Sequence, residues 1–283
     1  MATCKDVENA EEPWTAKILP LLSGLGAIDK EIAKDIFLNF ITELCNETIL
    51  LRRVSFRPDD ISTIFNQKDN DEISYRFSKL NSREDVKGYK KKHNPLLLLN
   101  LTEVLPFIKF FYDVMPKTKL IHVVRNGFEV ANDCFEKGWF SDKQLSYPVK
   151  ALPYLKYKLW DNIWHIPWWV NNGEEKEFLS YSEYERCVYY WCQNIQTGID
   201  QINQLNKNNI NKTIIYEELL SNPNQVFEQV SDYLKITPGP LTNKAIEKIK
   251  KRTVKTNKIR NQRISIVLQE RVNKINSLIF SSK

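Results

Sequence analysis

Residues 119–133, Lys-Leu-Ile-His-Val-Val-Arg-Asn-Gly-Phe-Glu-Val-Ala-Asn-Asp, constrain the fold more than any other stretch of this chain. Leu120 to Val124 are five apolar or β-favouring residues and read as a short buried strand. Asn126-Gly127 interrupts that run, and Phe128, Val130, Ala131 and Cys134 then fit one side of a helix. A strand that turns directly into a helix is the building unit of parallel α/β sheets. Arg125 stands at the carboxyl end of this strand, the edge of an open α/β sheet where ligands bind. Its guanidinium can grip a phosphate through two parallel hydrogen bonds, or pair with a neighbouring carboxylate.

The rest of the chain supports the same class. Trp14, Ile18, Leu21, Leu22 and Leu25 have helical spacing, closed by Gly24 and Gly26. Asp29 suits the cap of a second helix with Ile32, Ile36, Phe37, Phe40, Ile41 and Leu44 as its apolar face. Residues 1–12 read as polar and loose, and 55–93 as loop-rich or short helices. Leu96 to Asn100 reads as a buried strand. Residues 103–115 read as a helix interrupted at Pro106. A long helix follows at 181–205, then a strand at 213–216 and a helical pair around Pro223. Strand and helix alternate, which points to a parallel α/β sheet.

Composition narrows the function classes. The chain has 283 residues, 42% hydrophobic and 27% charged, and a net charge of +6. That charge suits an anionic small ligand and is too weak to imply nucleic acid by itself. No apolar run reaches the length of a membrane span, and the start lacks the apolar core of a signal peptide. The five cysteines form no Cys-x-x-Cys pair, which argues against a zinc site or a disulfide framework and for a reducing, cytoplasmic setting.

Two segments together resemble a known family. One is Pro116–Asp133. The other begins at Trp191 and continues through Ile214-Ile-Tyr216-Glu217-Glu218-Leu219-Leu220-Ser-Asn-Pro223 to Val226, Val230, Tyr233 and Leu234. In order and separation they are similar to the sulfotransferases that use 3′-phosphoadenylyl sulfate (PAPS), in the bacterial and tyrosylprotein-sulfotransferase-like branch. The resemblance runs from about Glu11 to Ile236 and is clear at 95–135 and 186–236. It implies a single α/β domain over 1–283 with a P-loop-NTPase-like three-layer fold and a central parallel sheet flanked by helices. It implies PAPS as donor, adenosine 3′,5′-bisphosphate (PAP) as product, no metal, and a hydroxyl (or amine) acceptor on a small molecule, carbohydrate or peptide. Arg125 would hold the 3′-phosphate. Lys255, Lys258 and Arg260, in a basic helical tail at 241–283, would add cations. Glu11 or Glu12 would be the general base, because a partly buried Glu beside a like charge holds its proton more tightly.

An aromatic stretch at 139–170 occupies the acceptor side of the family pattern, with Trp139, Trp164 and His165 as candidate acceptor contacts. Trp160, Trp164, Trp168 and Trp169 fit one helical face, so packing competes with a binding wall.

The chain departs from the family in three places, one of them Leu99-Asn100-Leu101-Thr102, where relatives often carry a Lys. The Ser-Gly-Thr-Thr type loop that wraps the 5′-phosphosulfate is missing, and only 10 residues precede Glu11, so the first strand is expected to be missing as well. Asp133 stands where the family has a Ser facing the 3′-phosphate, and a carboxylate repels that dianion unless protonated or bridged. Three accounts stand side by side: a trimmed enzyme, a partial sequence whose upstream part would carry the loop (and an anchor placing it in the Golgi lumen), or a divergent homologue that serves as a binding or interaction module. A missing strand would expose a sheet edge for a second copy or a partner chain to cover.

Overall fold

A computed structural model describes residues 1–147, 154–159, 162–205, 211–251 and 263–280. The chain opens with strand β1 (Val7–Glu11), helix α1 (Trp14–Gly24) and helix α2 (Lys30–Ile49). Asp29 caps α2 as predicted, accepting from the backbone N–H groups of Glu31 and Ile32 at 2.9 and 3.0 Å. The charged 55–93 stretch holds helices α3 (Asn70–Lys79) and α4 (Arg83–His93), the latter started by a reciprocal Ser82–Asp85 cap. Strand β2 (Leu96–Asn100) leads into a 3-10 turn at Leu105–Phe107 and helix α5 (Ile108–Val114). The break in helix at Pro106 is where the sequence places it, since Pro lacks the N–H an interior turn needs. Strand β3 (Leu120–Val124) and helix α6 (Gly127–Glu136) follow, then α7 (Asp142–Ser146), β4 (Tyr154–Leu159), β5 (Asn162–Pro167), α8 (Glu175–Ser180) and α9 (Glu183–Gln204). Strand β6 (Asn211–Ile215), α10 (Tyr216–Ser221), α11 (Pro223–Leu234), α12 (Thr242–Lys250) and α13 (Ile266–Phe280) complete the order.

The elements fall into two compact units: Met1–Val123 with β6 and α10 to α12, and Val124–Gln204 with α13. In the first, β1 and β2 pair in parallel, Val7 opposite Leu96 and Glu11 opposite Asn100. A strand therefore occupies the segment that reads as loose in sequence and whose absence the family comparison predicts. It is hidden because Glu8 interrupts its apolar residues. Glu8 is only 1% exposed. Arg76, on α3, donates to both of its carboxylate oxygens, Nη1 to Oε2 at 2.9 Å and Nη2 to Oε1 at 2.7 Å. Arg76 also donates to Glu72 at 2.7 Å and to the Tyr89 hydroxyl at 2.9 Å. Lys68 sits 3.6 Å from Glu8 and donates to the Val7 carbonyl at 2.6 Å. Burial alone would raise the Glu8 pKa, but the hydrogen bonds and charges of Arg76 and Lys68 outweigh it and hold the carboxyl below its ordinary value.

Two further expectations change in the first unit. On α2 the buried stripe is Ala33, Phe37, Ile41, Leu44 and Cys45, whereas Ile32 and Ile36 face solvent. Both stripes have helical spacing, and only packing chooses between them. β3 pairs with β6, separately from β1–β2, so among the described residues the strands pair two by two and no single central sheet joins them. What is present is a mixed α/β arrangement of small sheets flanked by helices. Ile121 and Ile214 meet Val226, Val230 and Leu234 of α11 in one core.

In the second unit, α6 and α13 pack against α9. Their core includes Val124, Ala131, Cys134, Trp191 and Leu268. β4 and β5 form an antiparallel hairpin, Trp164 opposite Tyr157. This overturns the single helical face drawn through Trp164 and its neighbours. A spacing of four residues is one helical turn but also two strand repeats, and it keeps side chains on one face in either geometry. Trp160 lies outside the described residues.

Removing Arg76 strands an ionised carboxylate in the interior. Arg76→Met is expected to cost about 3–5 kcal/mol, with Glu8→Gln/Arg76→Met recovering part of it, measured by urea unfolding. His122 on β3 supplies a pH dependence: burial pushes its pKa down to about 4. The unfolded imidazole titrates near 6.5, so His122 favours the folded state fully above about pH 6.5 and loses that contribution as pH falls towards 4. The urea midpoint of His122→Phe should fall less steeply than wild type between those pH values.

Candidate functional site

The candidate site is the turn between β3 and α6. Val124 is buried and ends the strand. Asn126 caps α6, its side-chain oxygen accepting from the backbone N–H groups of Phe128 and Glu129 at 3.0 and 3.2 Å. Arg125 lies between them, its side chain 29% exposed. The backbone of the turn is fixed from α9: Trp191 Nε1 donates to the Arg125 carbonyl at 3.2 Å, from a residue 66 positions away. The same indole lies against Gly127, where a Cβ would sit 2.6 Å from the ring. Gly127 is thus required by close approach of an aromatic ring.

The Arg125 guanidinium is paired along its own helix. Nε and Nη2 both donate to Glu129 Oε2, at 3.3 and 3.1 Å, and Nη1 donates to Asp133 Oδ2. Burial would lower the Arg125 pKa, but Asp133 and then Glu129 outweigh it, and the group is held above its ordinary value. Arg125 and Asp133, both expected at the 3′-phosphate, instead face each other as an ion pair. Glu129 is a partner the sequence reading passed over. Its signal was there: residues 125, 129 and 133 are spaced four apart, the interval at which charges meet on a helix.

The other predicted residues lie in different places. Glu11 is the last residue of β1 and Glu12, in the left-handed region at φ 41°, forms the turn into α1, its N–H bonded to the Asn100 carbonyl at 2.9 Å. Both side chains are exposed, in place of the partly buried helix start that the base role presumes. They belong to the first unit, whereas Arg125, Asp133, Trp139, Trp164 and His165 belong to the second. Trp164 and His165 are successive residues of β5 and so point to opposite faces. Trp164 packs on the core of the second unit. His165 Nδ1 lies 3.1 Å from the Leu145 carbonyl. Trp139 meets Phe140 and Tyr190 edge-on at 6.2 and 6.3 Å between ring centres, with the Lys137 ammonium 5.4 Å above it. Lys255, Lys258 and Arg260 lie outside the described residues.

Other chemistries find less support. All five cysteines are buried free thiols. Burial pushes Cys192 up to about 12 and Cys187 higher, which keeps both protonated and unreactive at neutral pH. Among the described residues no cluster of His, Cys, Asp or Glu is placed to hold a metal ion, and no helix is long and apolar enough to cross a membrane.

At this strand-to-helix junction the Arg125 cation is thus met by two carboxylates, and the first amides of α6 are met by the Asn126 cap. Gly127→Ala should cost about 1–3 kcal/mol through collision with the indole, despite the better helix propensity of Ala. Combined with Trp191→Leu the added loss should shrink, a non-additivity that thermal unfolding of the four proteins would read.

No family model matches the chain, and a search of curated proteins finds no match. Among solved structures it is similar to the sulfotransferase domain from the curacin biosynthetic pathway, at 15% identity and a TM-score of 0.41, over 77% of this chain and 75% of that one. No residue role follows from a likeness of that degree.

Proposed function

We propose that this chain is a sulfotransferase-like protein in which Arg125 grips the 3′-phosphate of PAPS, on the P-loop-like plan of the family that its sequence resembles. The observation that carries this reading is the β3–Arg125–α6 junction itself: a half-buried guanidinium at a strand end, anchored through its carbonyl to Trp191. Bound PAPS would supply an activated sulfuryl group for an acceptor hydroxyl, with PAP as the leaving group. Of the chain's own residues, Arg125 orients the donor by its 3′ end, and positioning of this kind is much of what a group-transfer site contributes. Glu11 or Glu12, at the turn from β1 into α1, takes the acceptor proton in this scheme. Lys255, Lys258 and Arg260 would add positive charge, and Trp139, Trp164 and His165 would lie towards the acceptor. The acceptor would be a small-molecule, carbohydrate or peptide hydroxyl.

One observation favours a second reading, in which the chain is a binding module without transfer activity. The sequence carries no Gly-rich loop with a cation ahead of Glu11, so the amide cradle that a 5′-phosphosulfate needs is not supplied there. Titration calorimetry with PAP separates both readings from the absence of any donor site. Wild type should bind with a dissociation constant of roughly 10–100 μM, and Arg125→Ala should lose that binding. No heat at millimolar PAP would rule out a donor site in this chain. Binding of PAP without sulfate transfer from PAPS to a panel of hydroxyl acceptors would favour the module.

A further inference from the structure

We propose that Glu129 and Asp133 form an internal latch on Arg125, occupying the guanidinium in the way an incoming phosphate would and so setting the affinity of the site. The inference rests on the reading of Arg125 as an anion-binding group and concerns how that site is regulated. Nitrogens Nε and Nη2 are directed at one carboxylate and Nη1 at the other. Two carboxylate oxygens thus receive the fork, an arrangement a phosphate would duplicate. The three side chains are part-buried, at 29% for Arg125, 14% for Glu129 and 33% for Asp133, so the pairs are screened less than surface pairs.

The latch acts on the side chain and leaves the turn in place. The Arg125 carbonyl is tied to Trp191, and Gly127 has no room to shift against that indole. Glu129 and Asp133 sit one helical turn apart, on a side of α6 that Arg125 can reach. Two carboxylates face one guanidinium here. A phosphomonoester dianion must therefore displace both carboxylates before Arg125 can receive it. The family pattern, with a hydroxyl at the Asp133 position, would carry half of this opposition at most.

The test compares the full chain with Glu129→Gln/Asp133→Asn, nearly isosteric changes that remove charge. Two readouts are taken: the rate of phenylglyoxal modification at Arg125, followed by peptide mass spectrometry, and calorimetric binding of PAP. The latch predicts roughly tenfold faster modification and roughly tenfold tighter PAP binding in the double variant. Unchanged modification at Arg125, in a variant whose circular dichroism matches wild type, overturns the latch whatever PAP does. Faster modification with no PAP binding to any protein leaves the latch standing and sinks the phosphate reading of Arg125. Should the double variant fail to fold, wild-type modification is followed as sodium chloride rises. A latch held by charge then predicts acceleration at Arg125, and a flat profile overturns it.

Discussion

A buried carboxylate held by a buried guanidinium underlies the first unit. Glu8, the second residue of β1, has almost no solvent exposure, and such a charge is tolerated only when paired and fully hydrogen-bonded. Arg76 supplies two of those bonds, and its remaining donors reach Glu72 and Tyr89. One side chain thus ties β1 to α3 and α4, and Lys68 binds the strand from a further direction. The pair need not add net stability over an apolar core of the same shape. Its weight lies in the penalty for losing one partner, which makes the position of α3 a condition for the existence of β1.

In the second unit a contact between distant residues sets the backbone and local contacts set the side chain. Trp191, on α9, fixes the Arg125 carbonyl and fills the space that any residue but glycine at 127 would need. Glu129 and Asp133, on the helix that Arg125 itself introduces, then receive the guanidinium. The first contact determines where a cation can be presented. The second occupies that cation with two carboxylates. Aromatic residues around α9, including Phe140, Trp169, Phe178 and Tyr189, are close-packed with edge-on geometries that exclude water. Of these, Phe140 and Trp169 belong to the aromatic 139–170 stretch and are packed inside the core.

The β3–α6 turn and the β1–α1 turn differ in charge. Arg125 brings a cation and a capped helix start, whereas the β1–α1 turn brings two exposed carboxylates and no glycine.

Much of the local structure was legible in the residues. The Asp29 cap, the break at Pro106, the strand from Leu120 to Val124 and the helix after Asn126-Gly127 all follow from short-range chemistry, and all are found. The identity of Arg125 as the residue at the strand end was readable for the same reason. Where two geometries share a periodicity, sequence could not choose: Trp164 suits a helix face and a hairpin face equally, and Ile32 and Phe37 each begin a plausible stripe on α2. β1 was illegible because Glu8 breaks its apolar run, and the guanidinium that makes a buried Glu acceptable lies 68 positions away. Sequence alone determined the strand and helix on either side of Arg125 and the charge at that turn. Only the tertiary structure decided that β1 forms, that Trp191 holds the turn and that Arg125 is already paired, because each depends on neighbours that the chain brings together only on folding.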